Sequence, residues 1–308
     1  MKKRILSRFI RGIFRSLTIG FLVLGAPEFL AFQLKAAFAA KLPAADPLLH
    51  VHLPLMMRLA MTGYGAATGR VVDAVTGNGL PDAQVCLGEE LCATADVNGD
   101  FLLEGIPSGY RGLTATSPEY NPVTEFRMVL ANQTAVYNFA MVYNLAVSDI
   151  DLRIVVTWDS IPGWTVGDRF YDNDLDAHLW LSVPNPPTHI FSGNRGECTS
   201  FPNACLPKDQ VSGSGPETID ITFLEPNAIY YFGVHHYNYY FAPGSIPPLT
   251  ELKPIIRIYD QQGLVYQFNG PATGVGDFWY GFMMDGNNGQ ITAMNCILNY
   301  TDDPPSCP

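Results

Sequence analysis

The stretch Gly69–Leu87, "GRVVDAVTGNGLPDAQVCL", decides how the chain is read. A β-branched run opens it and another closes it, and between them stand two turn signals, "TGNG" at Thr76–Gly79 and "LPDA" at Leu80–Ala83. Runs this short, bounded by Gly, Pro, Asn and Asp, are strands joined by tight turns rather than pieces of a helix. The pattern continues through "LCATADV", "FLLEGI", "YRGLTATS", "VTEFRMV" and "AVYNFAMV", giving seven expected strands between Gly69 and Val142 with no room for a helix of normal length. A small antiparallel sandwich of Greek-key type follows from that count.

Outward from this segment the texture repeats with more aromatics. Nine strands are expected between Asp151 and Leu298: "LRIVVTW", "DAHLWLSV", "HIFSG", "ETIDITFL", "IYYFGVHHYNYY", "IIRIYDQ", "LVYQFN", "DFWYGFMMD" and "QITAMNCIL". The predicted fold class is therefore all-β, with two consecutive antiparallel β-sandwich domains at 65–145 and 148–300 and a C-terminal tail at 301–308. Each segment is large enough to close its own core, so the sequence predicts that the fragments 65–145 and 148–308 fold separately. The whole chain of 308 residues is 47% hydrophobic and 15% charged, which excludes a disordered class.

"GRVVDAVTGNGLPDAQVCL" and "ATADVNGDFLLEGIPSGYRGLTATSPEY" resemble the carboxypeptidase regulatory-like domain, a transthyretin-like sandwich. The resemblance runs through the order G-x-V-x-D, G-x-P-x-x-x-V, T-x-x-x-G-x-F and G-x-Y. It implies an accessory rather than catalytic module with a carbohydrate-binding-like fold. In the second segment "LRIVVTW", "DNDLDAHLW", "GPETIDI", "YYFGVHHY" and "WYGFMMDG" resemble the YfaP-like domains of secreted and surface proteins, a likeness that brings no activity with it. The loop "NRGECTSFPNACLPKDQ" departs from the shorter connection usual there and reads as an exposed insertion.

The amino terminus carries a basic region, "MKKRILSRFIRGIFR", an apolar stretch interrupted by Pro27 and Glu28, and small residues at Ala37 and Ala39. Residues 1–39 are expected to be a signal peptide, with 40–64 a linker or first edge segment and no membrane span in the mature chain. Seven of the 18 Lys and Arg fall at or before Lys35 against one acid, Glu28, so the remainder holds 11 bases and 28 acids, a formal net charge of −17. That balance excludes a nucleic-acid partner and suits divalent cations or neutral polymers. All six cysteines lie beyond the expected cleavage point, which points to an oxidising, secreted, periplasmic or cell-surface location. Proximity predicts the pairs Cys86–Cys92, Cys198–Cys205 and Cys296–Cys307, one of the connectivities that six cysteines allow.

The candidate site is "YDNDLDAHLW", Tyr171–Trp180. On a strand, Leu175, Ala177, Leu179 and Leu181 share the core face, and Asp174, Asp176, His178 and Trp180 point the other way. Three readings compete. The first is a solvated strand face. The second is a catalytic carboxylate pair, since neighbours two apart on a strand sit about 6.5–7 Å from each other, inside the spacing of inverting glycosidases. Carboxylates on one strand point side by side, however, and no H-E-x-x-H, G-x-S-x-G or G-x-x-x-x-G-K-[ST] accompanies them. The third is a Ca²⁺ site at Asp172, Asp174 and Asp176, which requires the loop with Asp168 and Asn173 to curl back, because calcium ligands lie at most about 5 Å apart. His178, Trp180, His235 and Tyr237 are the candidate ligand-binding residues, the aromatics by stacking on sugar rings and the imidazoles by joining a polar His/Asp patch. Trp164 and Trp279 carry the same stacking potential, with core packing favoured for each aromatic.

These features predict an exported, non-catalytic binding module recognising a glycan or a surface protein, with a divalent cation as an accessory. The alternative is a structural spacer or adhesin subunit, and a glycan-active hydrolase ranks last.

Overall fold

The computed structural model describes residues 62–307 apart from 146–148, 160–163, 167–168, 185–186, 212, 214, 242–244 and 304–306; for Trp164–Val166, Arg169–Tyr171 and Tyr240 it describes the backbone alone. The expected signal peptide, most of the 40–64 segment, Asp168 and the side chain of Trp164 lie outside what is described.

The chain is nearly all β. Its first part contains β1 (Tyr64–Asp73), β2 (Gln84–Leu87), β3 (Leu91–Thr94), β4 (Asp100–Pro107), β5 (Gly109–Thr116), β6 (Val123–Val129), β7 (Thr134–Val136) and β8 (Phe139–Met141). One sheet has the order β3-β2-β5-β6; the other has β4-β1-β7, with β8 also paired to β1. Inward residues of both sheets, among them Val71, Val85, Phe101, Leu113 and Phe139, form one core. The expected strand "AVYNFAMV" is split in two, and both halves run parallel to β1. The break falls at Tyr137–Asn138, where the backbone crowds Gly69: a Cβ there would lie 1.8 Å from the Tyr137 carbonyl oxygen, and its φ of +154° is one that glycine alone adopts easily.

The second part contains β9 (Leu152–Thr157), β10 (Trp164–Val166), β11 (Arg169–Tyr171), β12 (Leu175–Leu181), β13 (Thr188–Ile190), β14 (Gly196–Glu197), β15 (Ala204–Lys208), β16 (Glu217–Ile221) and β17 (Ile229–His236). Two short helices follow, α1 (Tyr237–Phe241) and α2 (Leu249–Leu252), and then β18 (Ile255–Asp260), β19 (Gly263–Asn269), β20 (Phe278–Asp285) and β21 (Ile291–Leu298). A five-stranded sheet, β13-β12-β17-β20-β21, faces a six-stranded one, β14-β15-β16-β9-β18-β19, and β10 pairs with β11 in a separate hairpin. Alternate residues of the two large sheets, such as Ile154, Ile219 and Ile256 from one and Leu179, Phe232 and Phe282 from the other, interdigitate in a second core. Each such side chain contributes about 1.5–3 kcal/mol by leaving water.

The insertion "NRGECTSFPNACLPKDQ" is not surface decoration. It folds into the β14–β15 hairpin, joined by the Cys198–Cys205 disulfide, extends the six-stranded sheet and places Ala204 and Leu206 in the core.

The outer face of the six-stranded sheet is covered by the first sandwich. Ala74, Ala140, Val142 and Leu145 pack on Val155 of β9 and Tyr259 of β18. Charged groups in this seam are paired. Arg257 donates to Glu125 at 2.5 Å with both side chains buried, and Arg153 grips Asp220 through two hydrogen bonds of 2.6 and 2.8 Å. Arg127 reaches Asp159 at 2.8 Å, and Thr218 Oγ1 donates to the Ala74 carbonyl at 2.5 Å.

Candidate functional site

The alternation read in "LDAHLWL" holds, but the face opposite the core is not wet. All seven residues of β12 are buried, with Trp180 at 0%, His178 at 2% and Asp176 at 4% exposure. Two covers account for this. The first is the β13 side, where His189 stacks on Trp180 at 4.3 Å and Phe191 stacks on His178 at 5.5 Å. The second is the tail beyond β21. Tyr300 stacks on His235 at 4.6 Å, the Trp180 indole donates to the Asp302 carbonyl at 2.9 Å, and the Cys296–Cys307 disulfide holds the tail against the sheet. Trp180 is therefore a core aromatic of this outer layer, beside Phe278 and Tyr280, and is not available for stacking on a sugar. Phe278 pairs with His235 in the β17–β20 register and lays its ring over Gly233, where a Cβ would come within 2.0 Å of it.

The layer ends in a polar cluster. Asp176 and His235 are direct partners in the β12–β17 register, and His178 lies two residues along the same face. One ligand-capable atom from each of Asp176, His178 and His235 lies within 4.8 Å of the other two. On its other side Asp176 meets Asp209 and Glu217, again with mutual distances within 4.8 Å. Glu217 reaches the cluster around the open edge of β12. Strand β13 pairs only with Leu179–Leu181, so the Ala177 N–H is free to donate to Glu217 Oε1 at 2.8 Å.

Burial and like charge disturb these groups. Burial, then Asp209 and Asp172, raises the Asp174 carboxyl to about 6; burial, then Asp174 and Asp209, raises Asp176 to about 7, against a hydrogen bond from Ser192. Glu217 is pushed well up by burial and Asp176. Burial, then the neighbouring imidazoles His189 and His235, holds His178 well below the usual histidine range, and burial takes His189 and His236 down to about 4. Asp277 moves the opposite way: burial would raise it, but the neighbouring His235 and a hydrogen bond from the Tyr300 N–H outweigh that and lower it. Asp174 Oδ1 and Asp209 Oδ1 are buried without a hydrogen-bond partner.

The three aspartates read as a calcium set are not gathered as one. Asp172 Oδ1 accepts from the Asn173 N–H at 2.8 Å and serves its own loop; Asp174 adjoins the cluster; Asp176 is its centre. His178 and His235 do join Asp176. Tyr237 does not continue the strand. It opens α1, donates its N–H to the Asp174 carbonyl at 3.1 Å, and leaves its ring nearly half exposed. Asp209, Glu217 and His189 were missed. The only trace of Glu217 in the sequence is a carboxylate heading an apolar strand after Gly215–Pro216, and Asp209 sits in the insertion that departs from the usual pattern.

A second feature lies between the sandwiches. A cavity of about 490 Å³ is lined by Arg70, Arg127, Lys253, Asp159, Glu251 and Trp158, together with Gln210, Gly213, Gly215 and Pro216 from the β15–β16 connection. That connection has two sides: Gln210 and Pro216 face the cavity, and their neighbours Asp209 and Glu217 enter the Asp/His cluster. The indole N–H of Trp158 is buried without a partner.

Residues 66–142 match the family model of the carboxypeptidase regulatory-like domain. The match does not reach the second segment, whose resemblance to YfaP-like domains rests on its motifs alone. No curated protein sequence matches the chain. Among solved structures, similarity is found to a type II cohesin–X-dockerin complex from Acetivibrio cellulolyticus, 15% identical over 26% of this chain and 58% of that one, with a TM-score of 0.22. It is also found to SAV2460, a protein of unknown function, 18% identical over 51% and 94% with a TM-score of 0.36. A third likeness is to a putative carbohydrate-binding protein from Bacteroides uniformis, 12% identical over 55% and 87% with a TM-score of 0.21. The present chain spans 58% of the first of these, and none of the three likenesses carries a functional argument. Among the described residues no helix is long and apolar enough to cross a membrane.

Proposed function

We propose that the chain is an exported, non-catalytic binding module that takes a neutral, hydroxyl-rich ligand, a short glycan, in the cavity between its two sandwiches. The cavity carries this reading: at about 490 Å³ it falls in the roughly 300–1,000 Å³ range of small-molecule sites, and it mixes cations, acids, amides and apolar walls. Arg70, Arg127 and Lys253 are balanced there by Glu125, Asp159 and Glu251, so the lining selects against a strongly charged ligand. Fixed donors and acceptors of both kinds suit sugar hydroxyls, which give and accept hydrogen bonds.

The non-catalytic half of the proposal is supported by where the unusual carboxyls lie. Asp176 and Glu217 are at 4% and 0% exposure, covered by the tail and the β12 edge. A glycosidase pair has to face its partner across an open cleft. The three disulfides suit export to an oxidising compartment.

A glycan array probed with the purified chain tests the reading, followed by titration of any hit against Gln210→Ala, Lys253→Gln and Trp158→Phe. Selective binding to a neutral oligosaccharide, weakened by these changes in the cavity wall, is the expected result. A blank array together with a co-purifying surface protein would favour the spacer or adhesin subunit instead, and turnover of a bound glycan, lost in Asp176→Asn, would favour an enzyme.

A further inference from the structure

The outer layer of the five-stranded sheet holds a set of donors that the cavity does not use. We infer that Asp176, His178 and His235 form a binding site for one divalent first-row transition metal of the zinc class, with Asp209 and Glu217 on the far side of Asp176 supplying further oxygen and negative charge.

The placement is rigid. Asp176 and His178 stand two apart on one face of β12, and His235 sits opposite Asp176 on β17, in a register fixed along the whole strand pair. Neighbours related in this way bring their side chains together without any loop having to order. The three donor atoms lie within 4.8 Å of one another. Around a tetrahedral zinc, nitrogen and oxygen ligands at about 2.0–2.2 Å from the ion are about 3.4 Å apart, so side-chain rotation of about an ångström completes the site.

The donors choose the class of ion. Calcium takes 6–8 oxygens, and the two nearest neighbours of Asp176 on this face are imidazoles. Imidazole nitrogen with one carboxylate suits zinc, iron, nickel or copper. Both histidines also have the outer support that metal-bound imidazoles need. His178 Nδ1 lies 2.9 Å from His189 Nε2, and with that proton donated to His189 its Nε2 keeps a free lone pair. His235 Nε2 lies 3.8 Å from Asp277 Oδ2, a carboxylate itself fixed by the Tyr300 N–H at 2.6 Å, so Nδ1 is the ring nitrogen left to bind. A carboxylate behind a histidine orients the ring and strengthens it as a ligand.

The surroundings show that something positive is wanted here. Asp174 is about nine-tenths buried and its Oδ1 has no hydrogen-bond partner, and Asp209 Oδ1, next to the cluster, has none either. Buried acids facing one another are costly unless neutralised; the half-exposed Arg195 reaches Asp209 Oδ2 at 3.4 Å, but among the described residues no Lys or Arg pairs with Asp174, Asp176 or Glu217.

The test uses the full chain, stripped with a chelator and dialysed against zinc or cobalt. One equivalent of zinc should bind and raise the melting temperature, and cobalt should give the visible absorption of a low-coordinate site. His178→Gln and His235→Gln should each weaken zinc binding about tenfold or more and abolish the cobalt band. Should either variant fail to fold, X-ray absorption at the zinc edge of the unaltered protein still reads whether imidazole nitrogen is coordinated. Absence of stoichiometric zinc binding, zinc binding untouched in both folded histidine variants, or a zinc edge without imidazole overturns the inference. Stabilisation by calcium but not by zinc overturns it too, and assigns the cation to the oxygens of Asp176, Asp209 and Glu217.

Discussion

The protein buries charge in two places and treats it in opposite ways. Along the seam between the sandwiches every buried acid meets a guanidinium: Glu125 meets Arg257, and Asp220 meets Arg153 through both oxygens. At the end of β12 the acids Asp174, Asp176, Asp209 and Glu217 meet one another and two imidazoles. Burial is equally deep in both, so desolvation alone does not separate them. What differs is the source of the counter-charge. The seam carries its own, with Glu125–Arg257 joining the two sandwiches and Arg153–Asp220 joining two strands of the second; in the cluster only Asp209 meets a guanidinium, that of the half-exposed Arg195, and burial with like charge shifts Asp174, Asp176 and Glu217 toward the protonated form. Buried charge is thus structural where it is paired within the chain and a candidate for binding where it is not.

That contrast can be broken most forcefully at the seam. Glu125→Ala leaves Arg257 buried beside only Gln267 and Thr157, and should cost about 3–5 kcal/mol. In a unit of this size the melting temperature should fall by roughly 10 °C, measured by calorimetry. A loss below 1 kcal/mol would mean that water replaces the lost carboxylate and that the seam is looser than described.

The cover of the outer layer comes next. Opening the tail with Cys296→Ser and Cys307→Ser should cost about 2–3 kcal/mol by the loop-closure argument, and should shift Trp180 fluorescence to the red as Asp302 and Tyr300 leave it. An unchanged emission spectrum would show that packing alone holds the tail.

A smaller effect of opposite sign sharpens the comparison. In chelator at neutral pH, Asp176→Asn removes one of several mutually repelling carboxylates and should stabilise the chain by on the order of 1 kcal/mol, where the seam change destabilises it. In excess zinc the order should reverse, with the unaltered chain melting higher. The smallest effect belongs to the cavity rim. Lys253→Gln removes an ion pair with Asp159 that is largely exposed on the lysine side, so stability should stay within about 0.5 kcal/mol while affinity for a glycan falls. A large loss of stability would make Lys253 a structural residue rather than part of a ligand site.

Much of the fold was legible because β-strands announce themselves locally. Turn residues at Thr76–Gly79 and Leu80–Ala83 and the alternation in "LDAHLWL" need no knowledge of distant residues. The error at β12 has the opposite origin. Alternation tells which side chains share a face but not what lies on that face, and the covers over Trp180 come from His189 and from Tyr300 and Asp302, up to 122 residues away in sequence. Glu217 and Asp209 were missed for the same reason: each is an ordinary carboxylate until the open edge of β12 and the β15–β16 connection bring it to Asp176. His178 and His235 were found because both sit on strands whose parity can be read. The β14–β15 hairpin was misjudged because Ala204 and Leu206 look unremarkable in a loop rich in Pro, Asn and Lys, and become core residues only once β16 offers them an edge.

The Cys296–Cys307 link also decides how the molecule carries mechanical load. A pull applied at Cys307 passes through the sulfurs directly into β21 at Cys296 and bypasses the tail residues Asn299–Asp303. The tail can therefore keep its cover over Trp180 and His235 while the strand beside it is being stretched, and only reduction of the bond would transmit force to the cover itself.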